Sequence, residues 1–153
     1  MLTLIDRAAV ALLCVLPAVL VGLNASSLSA ADELTSIDVW IGTGGKPSKG
    51  IYHCTLNLKT GRLSESELAA EIGRPGFLAM HPNGQHIYAV GSLEGEAVVA
   101  AYEIKKSKGK STLSFQNAVE IGDGGAAHVS IDSTGRTLLT AQYGAGSTAV
   151  FSV

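Results

Sequence analysis

Cysteine is nearly absent from this 153-residue chain, which carries only Cys14 and Cys54. Cys14 lies in an apolar N-terminal run, so a processed chain would keep one thiol. A single thiol closes no internal bridge, which excludes a disulfide-stapled scaffold. Clustered positive charge is lacking as well. Eleven Lys and Arg stand against 13 Asp and Glu, giving a net charge of -2 and a pI near 6.0. A nucleic-acid partner requires a concentrated basic face, so none is expected. The one basic run, Lys105-Lys106-Ser107-Lys108-Gly109-Lys110, falls between strand-like segments and reads as a solvated hairpin loop.

The usual reactive motifs are missing too. The loop Gly42-Thr-Gly-Gly-Lys-Pro-Ser-Lys-Gly50 has glycine and lysine but not the spacing of a phosphate-binding loop, and no helical pattern follows it. No G-x-S-x-G elbow occurs, which excludes a serine hydrolase of the α/β type as far as a motif can. Four histidines stand without Cys or Glu at ligand spacing, so neither a metal nor another cofactor is expected.

The N-terminus is a separate matter. Met1–Arg7 is a short lead carrying Arg7, Ala8–Leu23 is continuously apolar, and Leu28-Ser-Ala-Ala31 offers small residues before Asp32. That order describes a secretory signal peptide over residues 1–31, helical in its apolar part, with cleavage after Ala30 or Ala31. The run is interrupted by Pro17 and Gly22 and is short for a membrane span, which needs about 20 residues. The expected location is therefore periplasmic or secreted, with no membrane span after cleavage; a retained N-terminal anchor is the alternative. Leu12-Leu13 before Cys14 lack the small residue of a lipoprotein site.

Residues 32–153 are organised around a hairpin pattern that occurs twice. Gly76-Phe-Leu-Ala-Met-His-Pro-Asn-Gly-Gln-His-Ile-Tyr-Ala-Val90 is echoed by Ala127-His-Val-Ser-Ile-Asp-Ser-Thr-Gly-Arg-Thr-Leu-Leu-Thr-Ala141. Each copy has an apolar run, a polar turn closing on Gly84 or Gly135, and a second apolar run, the pattern of a β-hairpin. Further strands are expected at Ile37–Ile41, at Ile51–Leu58 with Tyr52, Cys54, Leu56 and Leu58 on one face, at Val98–Ile104, at Thr112–Val119 and at Thr148–Val153. Leu63–Ala70 has helical propensity but is assigned to an outer strand by its match to Thr112–Val119, and Gly73–Gly76 reads as a turn. Four strands per unit of about fifty residues is the blade pattern of a β-propeller. The chain holds roughly two and a half such blades, whereas rings close with about four to eight. Its exposed edges invite self-association. It reads as the front portion of a longer protein or as a module that assembles with others.

Trp40-Ile-Gly-Thr43, Gly50-Ile-Tyr52, Thr60-Gly-Arg-Leu63, Pro75-Gly-Phe-Leu-Ala-Met-His-Pro-Asn-Gly84, His128-Val-Ser-Ile-Asp132 and Ser147-Thr-Ala-Val-Phe151 resemble the opening blades of the lactonase family of seven-bladed β-propellers, the bacterial 6-phosphogluconolactonases. The resemblance covers nearly all of 32–153 but well under half of the family's length. It implies a hydrolase that opens a sugar lactone in a pocket at the central channel, here in truncated and inactive or active form. This sequence departs from the family in having Gly91-Ser92 for Asn-Glu, Ala126-Ala127 for Pro-Cys, and Gln142 for Asn. An exported lactone-opening enzyme and an exported propeller that binds without catalysis both remain open.

Lactone opening needs activated water, a stabilised oxyanion and a proton for the leaving alkoxide. His128 is the candidate base or acid, with a structural bond to a loop carbonyl as its alternative role. Gln142 and Tyr143 are candidates for orienting substrate hydroxyls, or else serve packing and turn closure. Arg74 can meet a phosphate or carboxylate bidentately, or is an exposed turn residue. His81 and His86 flank the Pro82-Asn83-Gly84 turn and are expected to face solvent.

Overall fold

The computed structural model describes residues 34–107 and 109–153; the expected leader over 1–31 lies outside them. Ten strands run in chain order: β1 (Ser36–Ile41), β2 (Gly50–Asn57), β3 (Glu67–Glu71), β4 (Gly73–Met80), β5 (His86–Leu93), β6 (Glu96–Ser107), β7 (Lys110–Glu120), β8 (His128–Ile131), β9 (Thr137–Gln142) and β10 (Ser147–Ser152). They form three antiparallel sheets in the orders β1-β2-β3, β4-β5-β6-β7 and β8-β9-β10. Among the described residues there is no helix. Since β1 matches β5 and β10 matches β6, the ten strands are three, four and three members of a repeating four-stranded unit. That is the two and a half blades expected from the sequence. Among the described residues, β1 and β10 each leave one edge without a partner.

The middle sheet is covered on both sides, which is why its strands read as unbroken apolar runs rather than alternating ones. Ala89, Val98, Ala100 and Tyr102 pack with Ile51 and Trp40 of the first sheet. The intervening Tyr88, Val90 and Val99 point the other way, onto Val129, Leu138 and Phe151 of the third. Period-two alternation therefore sends each strand's side chains alternately to its two neighbours. Each fully buried aliphatic side chain here contributes roughly 1.5–3 kcal/mol.

Two expected boundaries differ. The polar stretch 64–66 forms no strand; Leu63 touches Leu56 by one isolated bridge, and β3 begins only at Glu67. Gly73–Gly76 is not a free turn but the start of β4. There Gly73 pairs with Ser92 and Phe77 with Val90, so residues 74–76 stand opposite Gly91 alone. This bulge carries Arg74 at a φ of 47° and pushes it out of the ladder.

The two echoed turns have the same backbone. His81 N–H donates to His86 O (2.9 Å) and Gly84 N–H to His81 O (2.8 Å), while Asp132 N–H donates to Thr137 O (2.9 Å) and Gly135 N–H to Asp132 O (3.0 Å). Their side-chain chemistry differs. Asp132 accepts from the Thr134 hydroxyl and from the Arg136 and Thr137 amides. These bonds, the Thr134 hydroxyl foremost, hold its carboxyl at about 2. His81 is half-buried rather than facing solvent. Its Nδ1 accepts from Asn83 N–H (3.0 Å), which leaves Nε2–H to donate to Gly135 O (3.1 Å) in the next sheet's turn.

A second polar link ties the first sheet to the middle one. Asp38 of β1 accepts from His53 Nε2 (2.8 Å) and the Ser111 hydroxyl (3.0 Å), and pairs with Lys106 (2.9 Å). Burial alone would raise the Asp38 carboxyl; hydrogen bonds from Lys106, His53 and Ser111 outweigh it and hold it below its ordinary value. Lys106 is largely exposed and adds little, so the link across the sheets rests on Ser111 of β7, while His53 of β2 fixes the carboxylate from within the first sheet. Asp38→Ala is expected to lower unfolding free energy by about 2 kcal/mol in urea titrations at pH 7. Because the folded carboxyl titrates below the unfolded one, the contribution is complete above the ordinary carboxylate range. It disappears as pH falls below about 4. The difference between Asp38→Ala and the parent should therefore shrink in acid; a constant difference down to pH 2 would exclude this assignment.

Candidate functional site

Blade ends meet at a cavity of about 730 Å³. It is built from the β4 bulge (Arg74, Gly76), the end of β5 (Gly91, Ser92), the start of β6 (Glu96), the end of β7 (Glu120) and the linker into β8 (Ala126, Ala127). Four strands and a linker thus bring their ends to one place because each blade reverses there. Glycine dominates the lining for a steric reason at position 91. A Cβ on Gly91 would lie 2.8 Å from Gly73 O and 2.9 Å from Ile72 Cδ1, so the bulged β4 leaves no room for a side chain there.

The sequence-derived candidates fall in two groups. Arg74 lines the cavity, and among the described residues its guanidinium makes no hydrogen bond or ion pair. His128 follows the lining residue Ala127, and its exposed ring packs on Phe77, which follows the lining residue Gly76, with centroids 4.2 Å apart. No described residue hydrogen-bonds the His128 ring. Gln142 and Tyr143 lie one strand away, beyond Ala141, whose carbonyl accepts from Ala127 N–H (2.8 Å). Gln142 is buried, its amide accepting from the Thr140 hydroxyl (3.0 Å) and donating to Ser147 O (2.8 Å). Tyr143 is 90% exposed. Neither lines the cavity.

Glu96 and Glu120 were not singled out from the sequence. One sits in the β5–β6 turn region and the other at a strand end, and locally both read as ordinary surface carboxylates. Among the described residues no three His, Cys, Asp or Glu are grouped to hold a metal, and no helix is long and apolar enough to cross a membrane.

The three small antiparallel sheets are consistent with a comparison to known families: residues 38–153 match the model described as "Lactonase, 7-bladed beta-propeller". The chain belongs to this lactonase family. Curated relatives include a 6-phosphogluconolactonase from Bacillus subtilis, 37% identical over 115 residues, which cover 74% of this chain and 32% of that protein. A second, from Formosa agariphila, is 31% identical over 116 residues, or 72% of this chain and 31% of the relative. A crystal structure of a putative 6-phosphogluconolactonase from Bacteroides fragilis superposes with a TM-score of 0.65 at 27% identity, over 78% of this chain and 33% of the other. The chain thus spans about a third of the length of these lactonase relatives. Two of the family departures, Gly91-Ser92 and Ala126-Ala127, line the cavity together.

Proposed function

We propose that this chain forms one wall of a site that hydrolyses a sugar lactone. The observation that carries the reading is Arg74, whose guanidinium has no partner among the described residues, on a cavity of a lactonase-family fold whose lining reaches Ala127, the neighbour of His128. In the reaction, water adds to the lactone carbonyl as His128 takes its proton. The tetrahedral oxyanion lies against the Arg74 guanidinium, and the ring C–O bond then breaks with the proton passing to the departing alkoxide. Arg74 afterwards holds the carboxylate product. Tyr143, exposed one strand away from the cavity, is assigned to orienting substrate hydroxyls, and Gln142 to holding the hairpin that presents it.

We also infer export through the leader at 1–31, on the order of its charged, apolar and small residues. Self-association is inferred through exposed strand edges such as those of β1 and β10. A second reading, binding without turnover, is favoured by one observation: Gly91, Ala126 and Ala127, three of the positions at which the sequence departs from the family resemblance, line the cavity without a side-chain polar group.

The test is hydrolysis of D-glucono-1,5-lactone by the purified chain, followed by acid release. Arg74→Gln is expected to reduce kcat/KM about tenfold with thermal unfolding unchanged. Saturable binding of the lactone with no rate above the spontaneous reaction would select the non-catalytic reading. Neither binding nor turnover would remove the lactone assignment from this chain.

A further inference from the structure

We infer that this cavity selects uncharged sugar lactones over phosphorylated ones, with Glu96 and Glu120 as the selecting residues; the inference rests on the lactone reading above. Among the described residues, three ionisable ones line the cavity: Arg74, Glu96 and Glu120. Among the described residues none of the three has a hydrogen-bond or ion-pair partner, so their charges are presented to whatever enters. The formal sum is one positive against two negative. The two carboxylates come from adjacent strands at the same end. Val98 stands opposite Glu120 in the β6–β7 ladder, and Glu96 precedes Val98 by two residues, which places both glutamates on one face. They form the ridge between this cavity and a second groove of about 640 Å³.

This arrangement has a direct consequence for ligand charge. Ionised carboxylates accept strong, charge-assisted hydrogen bonds from sugar hydroxyls. A phosphate carries close to two negative charges near neutral pH and meets net repulsion on this wall. One guanidinium can serve one anionic group, and lactone opening itself generates a carboxylate at the reacting end. A phosphorylated substrate would therefore present a second anion with only glutamates left to face it. Arg74 matches the anion that the reaction makes, and the glutamates match the neutral polyol tail.

The experiment compares kcat/KM for D-glucono-1,5-lactone and its 6-phosphorylated counterpart in the full chain and in the double variant Glu96→Gln, Glu120→Gln. The parent should favour the uncharged lactone. The double variant, isosteric and on exposed positions, should shift the ratio about tenfold toward the phosphorylated lactone. Raising ionic strength on the parent should move the ratio in the same direction, a readout that needs no variant to fold. Preference of the parent for the phosphorylated lactone would overturn the inference while leaving the lactone reading intact. So would a ratio unmoved by both substitution and salt. Turnover of neither lactone would overturn both.

Discussion

Replacing His128 with glutamine lowers kcat/KM for lactone opening about a hundredfold, and thermal unfolding stays close to that of the parent. The magnitude is the lower end of what a positioned acid or base contributes, about 10²–10⁴. The expectation follows from where the ring sits. It packs tilted against Phe77, with centroids 4.2 Å apart, while neither nitrogen bonds a described residue, so packing orients the imidazole and leaves its nitrogens available. Glutamine keeps a polar side chain of similar reach and loses the proton-accepting imidazole. A second readout separates chemistry from packing: the variant should lose kcat with KM little changed. A rate within twofold of the parent would assign the water-activating role elsewhere.

Gly135→Ala destabilises the fold by about 3 kcal/mol in denaturant titrations. Gly135 has a φ of 73°, a region that costs an ordinary residue roughly 1–2 kcal/mol. A Cβ there would also overlap the His81 ring, well inside van der Waals distance. The ring must then swing away and give up its bond to Gly135 O, about 1 kcal/mol more. The echoed turn supplies the control. Gly84 has a φ of 69° but open space around its missing Cβ, so Gly84→Ala should cost only the conformational part. Adding His81→Ala to Gly135→Ala should bring the second substitution down to the cost seen at Gly84, since the obstructing ring is gone. Equal costs for Gly84→Ala and Gly135→Ala in the parent would show that the ring does not lock the two turns together.

The contrast between His81 and His128 shows where local reading stops. His81 follows one hairpin strand and His128 begins another, and nothing in the flanking residues distinguishes a histidine that bonds the next sheet's carbonyl from one whose nitrogens bond no described residue. His81 acquires its partner 54 positions away, at Gly135. Arg74 was legible as an anion-binding candidate, yet its placement depends on a bulge that arises when residues 74–76 face Gly91 alone. Glu96 and Glu120 carried no local signal. The clue was available only in strand order: both occupy the strand ends that share Gly91's side of the sheet.

Strand positions, the echoed hairpins and the blade repeat were determined by the amino-acid order, because side-chain alternation and glycine-closed turns are properties of a few adjacent residues. The lactonase resemblance belonged to the same level, carried by short runs such as Pro75–Gly84 and His128–Asp132. Which histidine is engaged, how a bulge aims Arg74, and which carboxylates share a cavity were decided by the packing of sheet on sheet. Those relations join residues tens of positions apart, and their energies do not exist until the blades are stacked.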